Sequence, residues 1–334
     1  MDTLPQGCAI IKRATTRVRD HKKGDHKGAP LPIYPCIAHI TTPIKVKTNE
    51  INVDFSTIST PSTISTNTIM EDNHDYFEAN REGWNLRTDL HRDSEFYNLD
   101  SWKKGGTSLT PIELREVGDV RGKKLLHLQC HFGQDTLSWA RLGAEVTGCD
   151  LSDKAIELAQ QLATQLDLPA RFVRCNVLDL RDHLAGEFDI VFTSYGTIGW
   201  LPDLEPWAQV VSHFVKQGGF FYIADFHPVL WMMSDDMTHL QYPYHNAGVI
   251  ETEQTGSYAD RQADIRYKEY GWNHSLSEII NSLIRHGLRI EFLNEYPYSP
   301  YDCFAKTVRG EDGNYRIQGL EGVLPMVYSL KAGK

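Results

Sequence analysis

Long apolar runs are missing from this sequence. A stretch such as FFYIA, Phe220 to Ala224, falls far short of the roughly 20 residues a membrane helix needs, so no span is expected. Cysteine is sparse: Cys8, Cys36, Cys130, Cys149, Cys175 and Cys303 are scattered through 334 residues without a CxxC pair. That spacing excludes a small disulfide scaffold and offers no metal-ligand set. No charged start leads into an apolar h-region, so free thiols in a reducing cytosol are expected rather than secretion. Positive charge is also in deficit. Residues 70–334 hold 25 Lys+Arg against 39 Asp+Glu, net −14, while residues 1–69 hold 9 against 5, net +4. A body that acidic repels a phosphate backbone, which argues against nucleic acid as partner.

What is present is ordinary globular material, 41% hydrophobic and 23% charged, long enough for one large domain or two. Residues 1–69 carry no sustained periodicity, and Phe55 to Ile69 is dominated by Ser and Thr. They are expected to be a disordered or non-conforming extension. From Met70 the texture changes, and 70–334 reads as one domain with an N-terminal cap over 70–120, built of short helices. Strand and helix signals then alternate. LLHL (125–128), AEVTGCD (144–150), ARFVRC (170–175), FDIVFTS (188–194) and FFYIAD (220–225) read as strands. Between them lie helices at 134–142, closed by Gly143, at 153–166, capped by Ser152, and at 203–215, closed by Gly218-Gly219. Ser275 to Glu278 spells a capping box before a further helix. LRIEFLNEY and VLPMVYSLK supply two late strands. This order predicts an α/β fold with a mostly parallel sheet covered on both faces.

In such a sheet, ligands sit beyond the carboxyl ends of the strands. The tips here are Gln129 to Asp135, Asp150, Asn176, Ser194 to Gly196 and Asp225 to His227. Asp150 follows Leu128 by 22 residues, the spacing at which a carboxylate accepts from ribose hydroxyls. Asn176 has an amide able to donate to and accept from an adenine edge. The first turn reads QCHFGQ and lacks the GxGxxG that lets a dinucleotide pyrophosphate approach. A ligand with ribose and adenine but no pyrophosphate fits better.

The segment KLLHLQCHFGQDTLSWARLGAEVTGCDLSDKAIELA resembles the first motif and acidic strand of class I S-adenosylmethionine-dependent methyltransferases. It is most similar to a subgroup whose first motif reads HLQCHFG. The resemblance runs through FDIVFTSYGTIGWLPDL and GGFFYIADFHPV to LPMVYSLKA, from about Asp72 to Ala332. It implies a Rossmann-like sheet of seven strands with an antiparallel last strand, S-adenosyl-L-methionine as cofactor, and methyl transfer to a small-molecule acceptor. Gln129, His131 and Gly133 then occupy the G-x-G-x-G slots. Asp150 takes the ribose, followed by Leu151. Asn176 and Val177 stand at the adenine, and Ser194 and Tyr195 at the tip of the fourth strand. His127 replaces an acidic residue, and two of the three loop glycines are gone. Either the loop shifts so that Gln129 and His131 contact the methionine moiety, or binding weakens.

His227, in DFHP, is expected to be a general base, with Tyr195 orienting the acceptor; its alternative is a turn residue before Pro228. The insertion 229–272 is expected to select the acceptor. Trp200, Trp207, Trp231, Tyr242, Tyr244 and Trp272 are candidates to line its pocket, at least half of them as ordinary packing. No metal, nucleic-acid or membrane role is expected, and the oligomeric state is left open. Two other classes stay in view: a catalytically silent binding module on the same fold, and a nucleotide-dependent oxidoreductase.

Overall fold

The computed structural model describes residues 73–334, and the expected extension over 1–69 lies outside the described residues. Where short helices are expected before residue 104, a 20-residue helix forms, α1 (His74–Asp93). Its buried positions are Asn80, Gly83, Arg87, Thr88 and His91. They draw no apolar stripe, so the periodicity that marks a helix in sequence is absent. The short α2 (Leu99–Lys103) follows, then α3 (Pro111–Val117). Thr110 and Glu113 close a capping box on α3, with Pro111 in its first turn, where a missing N–H costs nothing.

The alternating core comes next. It runs β1 (Lys124–Leu128), α4 (Gln134–Arg141), β2 (Glu145–Asp150), α5 (Asp153–Gln165), β3 (Ala170–Arg174), α6 (Leu180–His183), β4 (Phe188–Ser194), α7 (Leu204–Phe214) and β5 (Val215–Phe226). A hairpin of β6 (Ile250–Thr255) and β7 (Arg266–Gly271) is inserted before α8 (Leu276–Arg285) and β8 (Arg289–Tyr296). A second, smaller hairpin, β9 (Thr307–Arg309) with β10 (Tyr315–Ile317), precedes β11 (Val327–Gly333). The main sheet has seven strands in the order β3-β2-β1-β4-β5-β11-β8. Its other neighbouring pairs are parallel, and β11 runs antiparallel to both β5 and β8. This is the Rossmann-like class I methyltransferase fold.

Both faces of the sheet are buried, as central parallel strands require. Leu126, Leu128, Val191 and Ile223 pack with Trp207 and Val211 of α7 and with Ile279 and Leu283 of α8. The alternate residues Leu125, Ile190, Phe192 and Tyr222 pack with Trp139 of α4. Three local expectations are corrected. Gly218-Gly219 does not close α7, which ends at Phe214. The pair lies inside β5 where its register against β4 shifts, and a Cβ on Gly219 would come 2.8 Å from the Asp189 carbonyl oxygen. The capping box at α8 is half made. Ser275 Oγ accepts from the Glu278 N–H at 3.2 Å, but the Glu278 carboxylate turns to His274 Nδ1 at 2.9 Å. The last strand begins at Val327 rather than Val323.

The inserted β6–β7 hairpin packs on α1. Asn80 acts as a piece of strand backbone toward β7: its Nδ2 donates to the Tyr270 carbonyl at 2.8 Å, and its Oδ1 accepts from the Tyr270 N–H at 2.9 Å. The helix is also tied to the start of α5, where Ser152 Oγ donates to Asn85 Oδ1 at 2.7 Å and Arg81 pairs with Asp153. Among the described residues no helix is long and apolar enough to cross a membrane.

Candidate active site

A cavity of about 960 Å³ opens over the carboxyl ends of the parallel strands, at the upper end of the roughly 300–1,000 Å³ common for small-molecule sites. Gln129, His131, Asp150, Leu151, Asn176, Val177, Ser194 and Tyr195 all line it. The first loop keeps left-handed backbone at each glycine slot, with φ of 54° at Gln129, 51° at His131 and 75° at Gly133. For a side-chain-bearing residue that conformation costs about 1–2 kcal/mol. Local bonds offset it. The His131 N–H donates to Asp150 Oδ2 at 2.8 Å, Gln129 Nε2 donates to the Thr197 carbonyl at 2.8 Å, and the Cys130 N–H donates to the Cys149 carbonyl at 2.9 Å. The loop therefore holds its course without two of its glycines. Gly133 is a real requirement, since a Cβ there would stand 2.7 Å from the Phe172 ring.

Two polar atoms of this loop, Gln129 Oε1 and His131 Nε2, are buried without a partner. Buried polar atoms are rarely left so, and here both residues face the cavity. Asp150 accepts from the His131 N–H on Oδ2 and from the Ser152 N–H on Oδ1 at 2.9 Å. Each oxygen keeps a second lone pair. Burial pushes this carboxyl up to about 6, against those backbone bonds. Asn176 Oδ1 caps the following turn by accepting from the Leu178 N–H at 3.1 Å, which leaves its Nδ2 as the group for a ligand. These residues fit an adenosine moiety with a polar tail.

On the other side of the first loop, Ser194 Oγ donates to Asp135 Oδ2 at 3.2 Å, and burial raises the Asp135 carboxyl. Tyr195 sits at φ 28°, its ring 4.9 Å from that of Tyr301 and 5.5 Å from that of Phe226. Its hydroxyl donates to Glu113 Oε2 at 3.3 Å. Burial pushes Glu113 up to about 7, against its bonds from Thr110.

His227 is not brought to the cavity. Its Nδ1 accepts from the Val229 N–H at 3.2 Å, which leaves the proton on Nε2, and that nitrogen meets Glu295 Oε1 at 2.8 Å. Both ring nitrogens are thus engaged with the turn and with β8. Among the aromatic candidates, Trp200, Trp231, Tyr242 and Trp272 line the cavity, more than expected. Trp207 lies in the core against Phe221, and Tyr244 accepts from the Leu276 N–H. Sequence reasoning missed Glu113, Arg87 and Tyr301. A signal existed for Glu113 in the T-x-x-E spacing from Thr110; Arg87 lies on a helix with no readable face.

The chain is similar in part to several known proteins. The family model described as a methyltransferase domain matches residues 126–221. The ubiquinone biosynthesis O-methyltransferase of Chromobacterium violaceum is 31% identical over 133 residues, covering 39% of this chain and 57% of the relative. That of Shewanella halifaxensis is 28% identical over 121 residues, covering 35% and 51%. The chain thus spans little more than half the length of these relatives. The crystal structure of an S-adenosylmethionine-dependent methyltransferase from Mesorhizobium loti is 19% identical, covering 70% of this chain and 100% of that one, with a TM-score of 0.45.

Proposed function

We propose that this chain, which carries a methyltransferase domain over residues 126–221, transfers a methyl group from S-adenosyl-L-methionine to a small-molecule acceptor. One observation carries this: the Asp150 carboxylate and a left-handed first loop with two partnerless polar atoms line the same cavity. Asp150 accepts from the ribose hydroxyls. Leu151 and Val177 flank the adenine, and Asn176 Nδ2 donates to it. Gly133 keeps the loop on course by its close packing on Phe172, while Gln129 Oε1 and His131 Nε2 take the amino-acid end. Ser194 and Tyr195 border the reacting centre.

The cofactor supplies a methyl group on a sulfonium, and positioning accounts for much of the rate of such a displacement. The names of the relatives favour an oxygen acceptor, which must lose a proton. Tyr195 lines the cavity and orients that acceptor; its hydroxyl takes the acceptor's proton as it passes its own to the buried Glu113 Oε2, which is poised about neutrality behind it. His227 is left to the turn. We also assign the enzyme to the reducing cytosol, which the unbridged Cys130, Cys149, Cys175 and Cys303 support.

Calorimetry with S-adenosyl-L-methionine, S-adenosylhomocysteine and NAD tests this, followed by a labelled-methyl screen of small acceptors. Both sulfur ligands should bind and NAD should not. Asp150→Ala removes charge-assisted bonds of about 1.5–3 kcal/mol each, so affinity should fall at least about tenfold. The ionised carboxylate is the better acceptor, so affinity should also fall as pH drops through about 6. Preference for NAD would overturn the proposal. Binding without turnover on any acceptor would leave a silent binding module.

A further inference from the structure

Arg87 has no part in the roles above, yet it lines the cavity and is only 3% exposed. Its guanidinium is held on almost every side. The Cζ lies 3.9 Å from the Trp84 ring centroid and 4.6 Å from that of Tyr267, with Trp200 at 5.3 Å. Nε donates to the Gly83 carbonyl at 3.3 Å, and Nη1 stands 3.4 Å from Glu269 Oε2. Nη2 is left over. Among the described residues it is the only buried cationic nitrogen without a partner. A buried, half-satisfied guanidinium is costly, and a fixed planar fork with one free prong is suited to a carboxylate.

Glu269, also in the lining, meets Nη1 and leaves Nη2 open. Of the other acids there, Asp150 and Asp225 are engaged by backbone N–H groups and Asp135 accepts from Ser194, while Asp235 has no bond to Arg87. A further partnerless nitrogen, His91 Nδ1, is buried close by, and its ring packs against Trp84 and lies 5.1 Å from the ring of His131, whose Nε2 is assigned above to the cofactor. The groups around Arg87 belong to α1, to the segment after β4 and to the β6–β7 insertion, outside the loops after β2 and β3 that hold adenosine in the proposed reading, although Trp84 also packs on His131 at 5.2 Å, beside the cofactor's amino-acid end.

We propose that Arg87 binds a carboxylate of the methyl acceptor, so that the acceptor is an organic acid whose apolar body lies against Phe226, Trp231 and Tyr301. This rests on the methyltransferase function proposed above. The amino-acid end of the cofactor also carries a carboxylate, and the test separates the two sources.

The full chain, saturated with S-adenosylhomocysteine, is titrated with matched acid and amide pairs: benzoate and benzamide, phenylacetate and phenylacetamide, indole-3-acetate and indole-3-acetamide. At least one acid should bind about tenfold or more tighter than its amide. Arg87→Met should abolish that preference, with S-adenosylhomocysteine affinity held within about twofold. Arg87→Lys, which keeps charge but not the fork, should lose most of it. Should Arg87→Met not fold, the wild-type pairs and Arg87→Lys still decide. No acid preference in the wild type, or one undiminished in either variant, overturns the proposal. So does a tenfold loss of S-adenosylhomocysteine affinity in Arg87→Met, which would assign Arg87 to the cofactor. Failure of the wild type to bind S-adenosylhomocysteine would remove the methyltransferase reading instead, and the pairs titrated without it would still report on Arg87.

Discussion

Glu113 occupies the third position of α3, where Oε1 accepts from the Thr110 N–H at 2.8 Å, yet burial holds its carboxyl at about 7 instead of the usual 4.5. A carboxyl raised by folding stabilises the fold fully below its unfolded value. That contribution is lost as pH rises through the folded value. Thermal melts from pH 5 to 8 should therefore show the wild type weakening on the alkaline side. Glu113→Gln, equal in shape and without charge, should lack that component of the slope. Identical slopes would place the titration elsewhere. His227 gives the opposite expectation. With Nδ1 and Nε2 both engaged away from the cavity, His227→Ala should lower the melting temperature and leave the pH profile of methyl transfer unchanged. A hundredfold loss of rate, on the scale of general-base assistance, would return it to the site.

At the scale of elements, the loop between β1 and α4 shows what a sequence can and cannot disclose. Its place was legible from QCHFGQD between a buried strand and a helix, and Asp150 from its spacing. The conformation was not, because Gln and His take left-handed backbone only where surrounding bonds impose it, and those bonds come from Asp150 and Thr197. Gly133→Ala should cost about 2 kcal/mol or more, combining positive φ with the approach to Phe172. His131→Gly releases backbone strain but also removes a ring packed 4.3 Å from Phe132 and 5.2 Å from Trp84, so a denaturation curve should show a loss of about 1–3 kcal/mol. A neutral result would mean that the backbone bonds alone hold the loop. The same limit hid α1: helix signals depend on apolar spacing, and Asn80, Arg87 and His91 supply none. The parallel strands, apolar on both faces, were plain.

At the scale of the whole molecule, the cavity is shared between the strand tips and a roof made of α1 and the β6–β7 hairpin. Asn80 joins the two roof pieces through both backbone groups of Tyr270. Asn80→Leu would leave those groups unsatisfied at about 1–3 kcal/mol each. Hydrogen exchange should then quicken over residues 250–271 while β1 and β4 keep their protection. Equal protection in the variant would show that the hairpin is held by other contacts. The seven-stranded sheet carries a different consequence, for how the molecule comes into being. β11 lies between β5 and β8 and pairs with both, but it comes last of the three in the chain. Until residues 327–333 insert, β5 presents the bare hydrogen-bonding edge of a strand whose central run, FFYIA over Phe220 to Ala224, is apolar. An open apolar edge is a template for pairing between chains, so a nascent or refolding chain is most prone to aggregate just before its final strand arrives.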